Sequence, residues 1–301
     1  MMEVFNNFYN LVPVTFAQSL IYALVAAGIM IPFRILSFPD LTSEDSFPLG
    51  GSICAALLVA GVNPFAATLL AVCGAFAAGC CTALIHLKLK INTLLAGILV
   101  MTMLFSINLR IMGKSNVALF SADNLLEKIW VGSSTDLAPM ITMFVIMMAV
   151  VCSALFWFFK TEIGMAMRAV GANLNMASAQ GISTWAYTIF GLGMANGLNG
   201  LAGAVLVQQQ GYADVNMGLG ILIDGLAAVI IGETLLGRQD VWRQVAAPFL
   251  GSIVYYQLIS LGLAAGLEPS DIKLATGIFV LITLGLPVLK GGAAEAIRFR
   301  E

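Results

Sequence analysis

TEIGMAMRAVGANLNMASAQGIS, residues 161–183, is the longest polar interruption in the second half of a chain that is otherwise apolar almost throughout. The stretch has a helical pattern of its own. Met165, Ala169, Met176 and Ala179 can share a face, broken by Gly171, Ala172 and Asn173. Apolar segments flank it directly, at 137–159 and 185–207. A purely solvated loop needs no Met, Ala and Val at helical spacing. The stretch therefore reads as a short amphipathic helix-turn-helix held at a membrane surface by two spans, and as a docking surface for a soluble partner.

Composition fixes the class around it. Of 301 residues, 60% are hydrophobic and 10% charged, against about a quarter charged in a soluble globule. The expectation is all-α: a polytopic transmembrane bundle forming one domain over 1–301, with 161–183 as a loop within it. A net charge of -2 gives no reason to expect a nucleic-acid partner. Cys54, Cys73, Cys80, Cys81 and Cys152 all lie in apolar segments without CxxC spacing, so they read as buried thiols rather than disulfides or metal ligands. Residues 1–15 contain no Lys or Arg. The first span is therefore expected to be its own uncleaved insertion signal.

Full-length spans are predicted at 16–36, 64–87, 92–112, 137–159, 185–207, 243–265 and 272–289, with Pro32 kinking the first. Two apolar segments, 49–62 and 218–231, are short, giving about nine crossings if both cross. The polar connection 113–136 has a candidate surface helix at 125–131. Placing 161–183 inside puts Arg34, Lys88, Lys90, Lys160, Arg168, Arg238, Arg243, Lys290, Arg298 and Arg300 on the cytoplasmic side. Arg110, Lys114, Lys128 and Lys273 fall outside. The two short segments follow comparable junctions, PDLTSEDSFPLGG at 39–51 and GYADVNMGLG at 211–220. That is the pattern of an inverted repeat with interrupted helices beside a translocation path.

Polar residues inside spans need a reason. Asp224 reads as a pore or gate carboxylate, or as one paired inside the bundle, with an Asn of the sixth span as a candidate partner. Asn196 and Asn199, among Gly193, Gly197, Gly200 and Gly203, read as interhelical glue or as pore lining. Asp40, Thr42, Ser43, Glu44, Asp45 and Ser46 either meet a substrate amine or cap the next helix. Gln208, Tyr212, Asp214 and Asn216 follow an outward span and are expected at the contact with an outer partner. GxxxxGK[ST] is absent, and Gly232 to Gly237 lacks the Lys and Ser/Thr, so ATP is not expected to bind here. His86, the sole histidine, reads as an interfacial anchor. No catalytic constellation stands out beyond isolated Asp224 and Glu233. A secondary transporter would share the interrupted helices without needing the amphipathic loop.

The stretches IYALVAAGIMIPFRILSFPDLT (21–42), GMAMRAVGANLNMASAQGI (164–182) and DGLAAVIIGETLLG (224–237) resemble permease subunits of bacterial ABC importers. The branch is the one for branched-chain amino acids, ribose and nucleosides, and the resemblance runs from about 18 to 289. PDLTSEDSFPLGG and GYADVNMGLGILIDGLAAVIIGE look most like permeases paired with tryptophan/tyrosine-type binding proteins. The resemblance implies an inner-membrane permease that is no enzyme. It passes a small solute from an extracytoplasmic binding protein, pairs with a second and identical permease, and docks cytoplasmic ATPases that carry the ATP and magnesium. It also implies coupling through Gly164, Arg168, Ala169, Gly171, Asn173, Ala177 and Gly181. The acidic turn at Asp40 is longer than in the sugar branch, which favours an amino acid; nucleosides and sugars are the alternative.

Overall fold

The computed structural model describes residues 2–119 and 137–268, together with 271, 274, 276–278 and 281. Helix α1 (Met2–Met30) continues into a π-helical turn, Ile31–Ile35. After an irregular stretch come α2 (Ser43–Val59), α3 (Pro64–Leu89) and α4 (Thr93–Met112). A short strand, β1 (Asn116–Ala118), precedes α5 (Leu137–Lys160), the surface helices α6 (Glu162–Ala172) and α7 (Leu174–Ala179), and α8 (Thr184–Gln210). Strand β2 (Tyr212–Asp214) and a 3₁₀ turn (Val215–Gly218) lead into α9 (Ile221–Leu236) and α10 (Val241–Ala264).

Helix starts follow local chemistry. Asn63 and Asn92 accept from the Phe65 and Leu94 amides at 3.0 and 2.9 Å, satisfying donors the first turn leaves unpaired. Gly113 and Gly211 end α4 and α8 at φ of 70° and 75°, a conformation glycine adopts without strain. Pro32 produces a π-helical turn rather than a simple kink, a known response to a lost ladder bond. His86 Nδ1 lies 2.6 Å from the Ile91 carbonyl oxygen, joining the end of α3 to the turn before α4.

Among the described residues, seven helical segments are long and apolar enough to cross a membrane. The chain is a multi-pass, all-α membrane protein. The segment expected at 49–62 begins earlier, at Ser43, because the acidic turn forms the first turn of α2. Its 17 residues span only about 25 Å at ~1.5 Å per residue, short of a ~30 Å hydrocarbon core. The surface helix expected at 125–131 lies outside the described residues, as does most of the span at 272–289.

Packing centres on α1 and α8. α1 is buried along its Leu20–Met30 portion apart from the partly buried Tyr22, as a core helix rather than a lipid-facing one. α8 presents its glycines to neighbours: a Cβ at Gly203 would strike the Phe47 carbonyl, and one at Gly200 would strike Ala75 of α3. α2 lies against α8 through Gly50 facing Gly200. These small residues allow the close approach that replaces the hydrophobic effect between helices in lipid. The contacts are reciprocal: α8 packs on α2 and α3 as α1 packs on α9 and α10, with α2 beside α3 and α9 beside α10.

Gly203→Val should therefore destabilise the bundle by about 1–3 kcal/mol through overpacking, read as a lower melting temperature in detergent. Gly197→Ala, whose Cβ would meet nothing closer than 3.6 Å, should leave the melting temperature unchanged or raised.

Candidate functional site

The two junctions meet inside the bundle. The Asp40 carboxylate is fully buried; Oδ1 accepts the Thr42 amide at 2.9 Å and Oδ2 accepts Asn196 Nδ2 at 2.8 Å. Asn196 sits at the middle of α8, so this first junction lies near half depth. Thr42 Oγ1 is 2.7 Å from Thr82 Oγ1 of α3. Two residues on, Glu44 Oε1 accepts the Gly220 amide at 2.6 Å, and Gly218 lies against the Glu44 carbonyl and Pro48. One glutamate thus caps the opposite broken helix. α2 and α9 begin side by side and run towards opposite ends of the bundle.

The structure sorts the polar residues. Asp40, Thr42 and Asn196 are interior, paired groups. Asn199 is also buried and lies against Gly28 of α1; among the described residues neither of its amide atoms has a hydrogen-bond partner, nor has Ser43 Oγ. Asp224 pairs with α10, where Tyr255 Oη donates to Oδ1 at 2.6 Å. The sequence reading offered an Asn of the sixth span as a candidate partner; Asn196 serves Asp40 instead, and Asn199 has no hydrogen-bond partner among the described residues. Tyr22 and Tyr256 stack beside it with centroids 4.7 Å apart.

Gln208 corrects an expectation. It is buried, and its Nε2 donates to Thr68 Oγ1 at 2.9 Å and to the Ala204 carbonyl at 3.1 Å. α8 runs on past Val207 to Gln210, so Gln208 continues the interior face one turn beyond Ala204. Tyr212 and Asn216 are exposed and Asp214 partly so. β2 pairs antiparallel with β1, Asp214 opposite Asn116. Three-residue strands are too short to show a period, so this ribbon was not legible in the sequence.

At the other end, α6 and α7 carry two faces. Gly164, Met167, Val170 and Ala177 pack inward. Met165, Ala169, Met176 and Ala179 point away from the bundle, with Ile163 and Leu174 also exposed. Arg168 is half-buried between these faces. Asn173 breaks the pair and caps α7, accepting the Met176 amide at 3.0 Å; Gly181 closes it at φ 80°. A Cβ at Gly171 would collide with the Ile35 carbonyl, so α6 rests on the π-helical turn. One residue earlier, Arg34 Nη2 is 2.7 Å from Glu233 Oε2, which Arg238 Nη2 also approaches to 2.6 Å. The sequence reading treated Glu233 as isolated, because its partners are remote in the chain or beyond a turn.

A family model described as a branched-chain amino acid transport system permease component matches residues 14–285. The chain belongs to that ABC-importer permease family. It is 39% identical to a tyrosine transport system permease protein of Clostridioides difficile, over 89% of this chain and 88% of that one. It is 30% identical to an uncharacterised Rickettsia prowazekii protein, over 91% and 97% of the two chains. It is 26% identical to the ribose import permease protein of Escherichia coli, over 77% and 70%. No solved structure gives a significant match. The permease lies in the inner membrane and belongs to a transporter family rather than an enzyme family.

A cysteine at Tyr212 should react with a membrane-impermeant thiol reagent in intact cells, and one at Gln208 should not. Equal labelling of both would contradict the interior placement of Gln208.

Proposed function

We propose that this permease passes an amino acid with an aromatic side chain from an extracytoplasmic binding protein to the cytoplasm. The observation that carries the substrate class is the 39% identity, over most of both chains, to a protein named for tyrosine transport. The acidic first junction also suits an ammonium group better than a neutral sugar. A nucleoside is the second reading, supported by 30% identity to a Lactococcus lactis nucleoside permease over only half of each chain. Two copies of the permease form the pore, with their two halves related as inverted repeats; the reciprocal packing of α1 and α8 supports that relation.

The α6–α7 segment is the dock for a separate ATPase, which holds the ATP and magnesium. Its exposed Met165 and Met176 offer adaptable apolar contacts. The positive residues gathered at this end support a cytoplasmic position for it. Tyr212, Asp214 and Asn216 then face the binding protein. Motion of the ATPases reaches the pore through Gly171 on the π-helical turn, and through Arg34 to Glu233 at the end of α9. A pull-down of the tagged chain with its co-encoded proteins, followed by ligand binding to the co-purified binding protein, tests the assignment. Recovery of a sugar-specific binding protein would overturn the substrate reading.

Met165→Glu with Met176→Glu should leave membrane levels normal, since exposed substitutions shift stability by about 0.5 kcal/mol or less, and should abolish ATPase co-purification and uptake. Unchanged uptake would rule out the dock. Glu233→Gln should retain the bound ATPase yet cut uptake about tenfold or more, the scale of one charged hydrogen bond. Full uptake in that variant would remove Glu233 from the coupling route.

A further inference from the structure

Where the starts of α2 and α9 meet, a cavity of about 190 Å³ lies against α4. Glu44 and Asp45 line it, and Met101, Phe105, Val215 and Leu219 supply apolar walls. At ~30 Å³ per water it has room for about six waters, the scale of one small solute. Asp45 is 7% exposed, yet its carboxylate takes no hydrogen bond or ion pair from the described residues. Only its backbone carbonyl is engaged, accepting Asn108 Nδ2 at 3.2 Å. Asp224, in the corresponding first turn of α9, is by contrast held by Tyr255.

We propose that this cavity is a transit site for a solute bearing a primary ammonium and an aromatic or large apolar side chain, with Asp45 receiving the ammonium. The proposal rests on the amino-acid reading above and narrows it to named residues. An unpaired buried carboxylate is costly. The starts of α2 and α9 offset part of that cost through their dipoles, and a cation that arrives and leaves offsets the rest. Glu44 keeps one oxygen on the Gly220 amide, so Asp45 is the carboxylate left to exchange partners. A resident hard metal fits poorly. Ca²⁺ takes about six to eight oxygens, and no metal-holding group of His, Cys, Asp or Glu occurs among the described residues. The walls instead suit a hydrocarbon body, and the Phe105 ring can face an ammonium. Because Glu44 joins the two junctions, a solute lodged beside it sits where the broken helices must part.

The test is protection from thiol labelling. The full-length permease, with its five native cysteines replaced by alanine and Thr102→Cys introduced at the exposed rim, is placed in nanodiscs. L-Tyrosine and tyramine should slow labelling, whereas 3-(4-hydroxyphenyl)propionate and ribose should not. Asp45→Asn should raise the half-protecting concentration of tyramine about tenfold, as expected for one lost charge-assisted hydrogen bond. Equal protection by the deaminated acid, or unchanged protection in Asp45→Asn, would overturn the proposal. Should Asp45→Asn fail to insert, Phe105→Ala, at a position 43% exposed, should weaken protection by both amines; no weakening would also overturn it. Tyrosine uptake by the intact transporter is measured alongside. Uptake without protection removes the cavity site and leaves the amino-acid reading standing. Protection by adenosine or ribose, with no tyrosine uptake, removes both.

Discussion

Backbone that leaves a helix at membrane depth has no water to bond, and this constraint shapes the interior of the permease. Two helices start there, and their first amides need acceptors. The chain supplies carboxylates: Asp40 takes the Thr42 amide and Glu44 takes the Gly220 amide. The second bond crosses between the halves. Neither broken helix can be repositioned alone without exposing an amide or a carboxylate to an apolar surrounding. The junctions are therefore held together as one unit.

Close approach is the second requirement, and glycine provides it. Gly50, Gly200 and Gly203 bring α2 onto α8, and Gly232 with Gly251 brings α9 onto α10. The same device recurs at the surface helices, where Gly171 lets α6 touch backbone of the π-helical turn. Side-chain contacts there would yield by rotamer change, whereas backbone against backbone transmits a push with little slack. A π-helical turn beside such a contact is also a place where the helix ladder is already irregular.

Much of this was legible because apolar length and capping residues are local signals. The spans predicted to begin at 64, 92 and 185 start at Pro64, Thr93 and Thr184. The amphipathic segment was legible too, but its two faces were not assigned. Met165 and Met176 read as an apolar face, and the structure turns that face outward while Met167 and Val170 go in. Periodicity cannot say which side of a sparsely polar helix meets the protein. Pairing between distant residues was also beyond the sequence. Asp40 with Asn196, Asp224 with Tyr255, and Arg34 with Glu233 depend on helix rotation and depth, which composition leaves open. Gln208 shows the converse error: a polar residue after an apolar span looks external until the helix is seen to continue.

The placement of charge explains why the two ends of the second half-helix differ. At its start, α9 meets Glu44, a neutralising acceptor for the exposed amide of Gly220. At its end, Glu233 is held between Arg34 and Arg238, and a carboxylate near a helix C-terminus is disfavoured unless cations surround it. The Arg34 guanidinium both offsets that penalty and ties α9 to the turn on which α6 rests. Two lines of contact therefore run from α6 towards α9. One follows residues 36–40 from the π-helical turn to the Asp40 junction, and the other passes directly through Arg34. The direct route is the shorter, and it acts on the half-helix whose other end is bonded to Glu44. α9 thus carries the Arg34–Glu233 ion pair at one end and the Gly220–Glu44 bond at the other.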